Sequence, residues 1–224
     1  MPHSQGTQRI EYKDTGKFSK IITDYVAGSV PRELYKHEVS LQGIEQAIHE
    51  RNIFATDRKL LVEQLQQQYA SLHGCDKVNQ NISELGNVNT YTICTAHQPN
   101  IFTGHLYFIY KIIHVIKLAD QLNKELSQSK FVPVFYMGSE DADLDELGHV
   151  FLFGEKYEWK TTQTGSVGRM LVDSELLTLI ELIGGQINVL PHGEQIIDTI
   201  KNCYTKGTTI EAATFKLIHS LFGD

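Results

Sequence analysis

Two short stretches of this 224-residue sequence gather most of the side chains that could do chemistry. The first, His97-Gln98-Pro99-Asn100-Ile101-Phe102-Thr103-Gly104-His105, sets two imidazoles and two side-chain amides around a turn. The second, Ser139-Glu140-Asp141-Ala142-Asp143-Leu144-Asp145-Glu146, holds five carboxylates in seven residues. Imidazoles move protons near neutral pH and donate to developing oxyanions. Crowded carboxylates suit a cation, an ammonium group or general-base work. Each stretch also has an ordinary reading. The first is a turn before a capped helix, and the second is the acidic first turn of a helix, where the dipole favours Asp and Glu.

Position separates the readings. Tyr91-Thr92-Ile93-Cys94-Thr95 is rich in β-branched and aromatic residues and predicts a strand. Leu106, Ile109, Ile113 and Ile116 then recur as one stripe of a helix ending near Leu122. Phe131–Met137 is apolar almost throughout, as expected of a strand covered on both faces. Strand, loop, helix and strand make a βαβ unit with parallel strands, whose natural home is the open doubly wound α/β fold. Both loops then leave carboxyl ends on one edge of the sheet, where ligands of such folds bind. On this reading Thr103 caps the helix, and Gly104 lets a ligand approach its unpaired amides. Lys111, two turns in, reaches toward a phosphate or carboxylate, while Glu140 and Asp141 stand at the end of the second strand.

The remaining elements divide into residues 1–85, a helical segment packing on the core, and residues 86–224, the first part of that core. Helices are expected over Phe18–Val26, over Leu41–Arg51, and after an Asp57 cap. Asp76–Thr90, with four Asn and a Gly, reads as a loop. Beyond Gly148, Val150–Phe153 and Lys156–Thr161 suggest a hairpin, and Gln163–Gly168 a flexible loop ending in Arg169. Helical patterns occupy Ser174–Ile183, Gly193–Tyr204 and Ile210–Phe222. Two convincing strands do not finish a parallel sheet, so the sequence reads as part of a longer protein.

Composition narrows the function classes. A net charge of −7 with no Lys/Arg cluster excludes the footprint of a nucleic-acid binder. No apolar run approaches the ~18 residues of a membrane span. Three cysteines without a CxxC pair exclude a locally spaced thiolate metal site and fit a reducing, cytoplasmic setting. No metal site is expected. Cys94 reads as inert packing in a buried strand, Trp159 as core, and His114 and His149 as structural or surface residues.

At the two loops the sequence resembles the bacillithiol biosynthesis cysteine-adding enzymes, the BshC family of cysteine ligases. The matching residues are His97 to Tyr107 with Tyr110-Lys111, Pro133-Val134-Phe135, Ser139-Glu140-Asp141-Ala142-Asp143 and Gly168-Arg169-Met170. Phe18-Ser19 and Asp24-Tyr25 fit the family's start. The resemblance implies an α/β, Rossmann-like parallel-sheet core with an N-terminal helical segment and an inserted connecting helical region. Family members are longer, and a coiled coil for homodimerisation would lie beyond Asp224. The implied activity joins L-cysteine to glucosaminyl-malate, the last step to bacillithiol. On that basis His97, His105, Glu140 and Asp141 are the catalytic candidates. Gln98, Thr103, Gly104, Lys111, Ser139, Asp143 and Arg169 are the candidates for binding substrate or nucleotide. Whether ATP or ADP takes part is left open by the residues. Many family members carry Gln-Gln-Pro-Gly where this chain has His97-Gln98-Pro99-Asn100, Pro where it has His105, and His where it has Ala142. The competing readings are a non-catalytic nucleotide- or metabolite-binding module and an inactive fragment of the enzyme.

Overall fold

The computed structural model describes residues 8–224. The opening Met-Pro-His-Ser-Gln-Gly-Thr lies outside the described residues. The chain divides into two units, Met1–Thr56 and Asp57–Asp224, so the division falls inside the expected 1–85 segment. The first unit carries α1 (Lys20–Val26) and α2 (Leu41–Arg51), which starts where the Ser40 hydroxyl accepts from the Gly43 amide.

The second unit opens with α3 (Arg58–Tyr69), capped by Asp57 as its sequence predicts, through a bond from the Leu60 amide. The stretch expected as a loop then forms α4 (Asp76–Glu84). Its Asn residues are poor helix formers, but Ile82 and Leu85 are buried and tertiary packing overrides propensity. The Arg58 guanidinium donates to the carbonyls of Leu85, Val88 and Thr90, tying the end of α4 to the following strand.

β1 (Thr90–His97), α5 (Leu106–Glu125) and β2 (Lys130–Met137) form the expected βαβ unit, with β1 and β2 parallel from Thr90↔Lys130 to His97↔Met137. The helix packs its Phe108, Ile112, Ala119 and Leu122 inward, whereas Leu106 and Ile113 of the expected stripe are exposed. The first three turns of α5 are apolar nearly all round, so periodicity alone permits either face and the sheet selects one. Coverage of the sheet is also partial. Phe131 and Val132 are buried, but Tyr136 is exposed, and so are Thr92, Cys94 and Ala96 along one face of β1. Cys94 is therefore a surface thiol rather than core packing.

A one-turn α6 (Leu144–Leu147) leads into an antiparallel hairpin of β3 (His149–Leu152) and β4 (Glu155–Glu158), a second two-stranded sheet. Helices α7 (Ser174–Ile187), α8 (Gly193–Cys203) and α9 (Ile210–Phe222) follow. Their inner faces join Ile101, Leu147, Trp159 and Val167 in one apolar core. That core holds the two loops from behind. Among the described residues no helix is long and apolar enough to cross a membrane.

Candidate active site

The register of the sheet ends at His97 and Met137, so both loops start side by side. The Gly138 amide donates to the His97 carbonyl at 3.0 Å, which extends the ladder by one rung. Beyond it the Gln98 side-chain amide donates to Asp141 Oδ2 at 2.9 Å. Asp141 also takes the Asp143 amide on Oδ1 at 2.9 Å. The Gln98 bond, with the backbone amides of Asp143 and Ala142, outweighs a small burial effect and holds this carboxyl below its ordinary range. Asp141 is thus a fixed, ionised carboxylate at the junction of the loops.

His97 is only 8% exposed, and its bonds define its tautomer. Nδ1 lies 3.0 Å from the Gln98 carbonyl oxygen, which can only accept, so Nδ1 carries the proton. Nε2 is left as an acceptor and takes the Tyr107 hydroxyl at 2.7 Å. The ring of His105 stacks on Tyr107 with centroids 5.6 Å apart and stands edge-on to His149 at 5.7 Å. His149 donates from Nδ1 to the Asp145 carbonyl at 2.7 Å. Four rings from α5, β1 and β3 therefore line one side of the junction.

The turn between β1 and α5 is tightly built. Phe102, Thr103 and Gly104 all have positive φ, at 51°, 71° and 54°. A Cβ on Gly104 would stand 2.2 Å from the Asn100 side-chain nitrogen, so this position takes only glycine while Asn100 lies beneath it. Asn100 is fully buried, and its amide has no hydrogen-bond partner among the described residues. Tyr204, also fully buried, braces the turn by accepting from the Phe102 amide and donating to the Asn100 carbonyl. His105 rather than Thr103 occupies the cap position of α5, and neither side chain caps the helix. Thr103 lies in the preceding 3-10 turn. Lys111 is likewise engaged, donating its ammonium to the Ala96 carbonyl of β1.

A third segment joins the two. Ser166 Oγ donates to the Ser139 carbonyl, and the Val167 amide donates to the Asp141 carbonyl at 2.8 Å. Gly168 is pressed against Ser139 so closely that a Cβ there would lie 2.5 Å from its oxygen. This clamp carries Arg169, exposed and without an ion-pair partner among the described residues, alongside the acidic loop. Glu140 is exposed with its carboxylate near Gly138, while Asp143 caps α6 by accepting from the Glu146 amide. The candidates from the two loops thus meet, together with Arg169. Tyr107 and Asn100 were not among the site candidates read from sequence, and His149 was read as structural or surface. Tyr107 falls outside the apolar stripe read from periodicity, and a buried amide leaves no pattern. Two cavities, of about 390 and 470 Å³, lie elsewhere and are lined by no residue of the loops.

Residues 6–224 match the N-terminal Rossmann-like domain of bacillithiol biosynthesis BshC. The chain belongs to the BshC family. Curated relatives named "Putative cysteine ligase BshC" include one from Cytophaga hutchinsonii, 38% identical over 97% of this chain and 40% of the relative. Another, from Flavobacterium psychrophilum, is 34% identical over 97% of this chain and 41% of the relative. A Bacillus cereus relative is 32% identical over 63% of this chain. The chain thus spans about two-fifths of the length of its first two relatives. With the family, the α/β unit around the two loops is a BshC N-terminal Rossmann-like domain.

Proposed function

We propose that this chain forms the N-terminal part of a ligase that joins L-cysteine to the amine of glucosaminyl-malate, giving bacillithiol. The observation that carries the reading is the Gln98–Asp141 bond, which fixes an ionised carboxylate against the residue that follows His97, at the carboxyl ends of two parallel strands. A carboxylate so placed suits the ammonium of an amino acid or amino sugar. Glu140 and Asp141 receive that group, and Asp143 adds negative potential. Arg169, exposed and without an ion-pair partner among the described residues, answers the malate carboxylates. Attack requires the neutral amine, and the proton its nitrogen sheds as it bonds to carbon has the His97 imidazole as its sink within the site. His105, at the start of α5, donates to the oxygen on which charge develops.

Amide formation from a free carboxylate needs activation. A nucleotide triphosphate would supply it by making the cysteine carboxyl a better acylating group. The loops fit such a polyanion poorly: Lys111 is committed to Ala96, Thr103 does not cap α5, and the adjoining loop is acidic. The first-turn amides of α5 remain as donors, but no step here is routed through a nucleotide. The substrate-binding role rests on the carboxylates and Arg169 alone.

The test uses the full-length protein. Asp141→Asn and Glu140→Gln should raise KM for glucosaminyl-malate by about ten- to a hundredfold, the range for losing a hydrogen bond to a charged group. Circular dichroism should be unchanged. Thiol formation at the unaltered rate in both variants would overturn the reading.

A further inference from the structure

His97 poses a problem for any mechanism that makes it the proton acceptor. It is almost wholly buried, and both ring nitrogens are occupied by protein atoms. No substrate atom can reach Nε2 without displacing the Tyr107 hydroxyl. Tyr107, by contrast, is 44% exposed and stands in the first turn of α5 with its ring held by His105. We infer that Tyr107 is the catalytic residue that touches the reacting amine, and that His97 acts through it as the buried end of a two-link proton relay.

This inference deepens the ligase reading and rests on it. As the neutral amine nitrogen bonds to the acyl carbon, the carbonyl π pair moves onto its oxygen, and the N–H bond breaks as that proton passes to the Tyr107 oxygen. The original Tyr107 O–H bond breaks in the same event, and its proton passes to His97 Nε2. Tyr107 ends as a neutral phenol and His97 as an imidazolium, with Nδ1 still bonded to the Gln98 carbonyl. One proton leaves the amine and one is gained by the imidazole, so the addition balances. Collapse of the oxyanion then expels the leaving group of the acyl donor, a cysteine carboxyl activated as a mixed anhydride, with the electron pair of its bond to carbon. The relay requires that Tyr107 begin as a phenol. Burial, with the Glu146 carboxylate adding its charge, pushes the Tyr107 hydroxyl above its ordinary range, so it is fully protonated at neutral pH. The relay also requires His97 in the Nδ1–H form, which the Gln98 carbonyl enforces. His105 completes the arrangement by stacking the phenol in place.

The test pairs kinetics with a readout independent of activity. In the full-length protein, Tyr107→Phe should lower kcat by about a hundredfold, within the range of general acid–base contributions, with KM for the amine substrate within about twofold. His97→Gln should cause a similar loss, and the double variant should be no worse than either single one, because the two act as a unit. In the 224-residue chain, long-range proton–nitrogen NMR should show His97 protonated at Nδ1 and its Nε2 resonance displaced by Tyr107→Phe. Retention of more than half of kcat by Tyr107→Phe, additive losses in the double variant, or an Nε2-protonated His97 would each overturn the relay. The two readings fail separately. If the Asp141 and Glu140 variants lose activity while Tyr107→Phe does not, only the relay is wrong. If none of the variants affects thiol formation, the ligase assignment falls with it.

Discussion

Thr103 sits in the left-handed region at φ 71°, next to Phe102 at φ 51°. For a β-branched residue that conformation is a steric outlier, costing about 1–3 kcal/mol. The turn is overdetermined by Tyr204 and by Asn100 packed under Gly104, so the fold sustains the strain. Asparagine adopts this conformation readily. Thr103→Asn should therefore stabilise the chain by about 1 kcal/mol, seen as a higher midpoint in denaturant with unchanged slope. A lower midpoint would show that the Thr103 side chain makes a compensating contribution. Sequence made His97, Gln98 and the acidic loop legible at this scale because turn and carboxylate chemistry announce themselves. It could not show that the Lys111 ammonium turns back to Ala96, since that choice depends on how α5 crosses β1. Nor could it show that His97 faces Tyr107, a contact set by the first helical turn rather than by spacing.

Among the elements, α7 depends most visibly on one side chain. Asp173 accepts the Leu176 amide at the start of the helix, and also the Trp159 indole, the Thr161 hydroxyl and the Gln163 amide. Burial pushes its carboxyl up, but those four donors together outweigh burial and hold it below the ordinary aspartate range. Asp173→Ala removes a helix cap and strands the buried indole, so it should cost roughly 2–4 kcal/mol at neutral pH. The folded-state pKa is lowered, so the stabilisation is complete above the unfolded value near 3.8 and is lost as pH falls through the lower folded one. The gap between wild type and variant, read by denaturant midpoints, should accordingly narrow only in strong acid. A gap that stayed constant down to that range would refute the ionised network.

The elements were legible to different degrees. β1, β2 and α9 follow from runs whose periodicity admits one assignment. In α4 the Asn residues outvoted Val78, Ile82 and Leu85, whose helical spacing becomes decisive only once Arg58 pins the helix end. In α5 the stripe was misplaced because adjacent faces are equally apolar, and packing against the sheet broke the tie.

For the whole molecule, the site draws on three separated segments, near residues 97–107, 138–149 and 166–169. The hairpin between β3 and β4 interrupts that series with an exposed tip, Phe153-Gly154, both at positive φ and Phe153 69% exposed. Bonds cross this point on every side: Trp159 to the Gly148 carbonyl, Val167 to Asp141, and Phe102 to Tyr204. The apolar core likewise takes Ile101 and Leu147 from before the tip and most of its other members from after it. A polypeptide severed at Phe153-Gly154 should thus hold together, and two separately encoded pieces should copurify at the size of the intact chain. Pieces that elute apart on gel filtration would contradict this. The same seam makes the protein a natural candidate for fragment complementation, in which reassembly, rather than synthesis, switches the junction of loops into being.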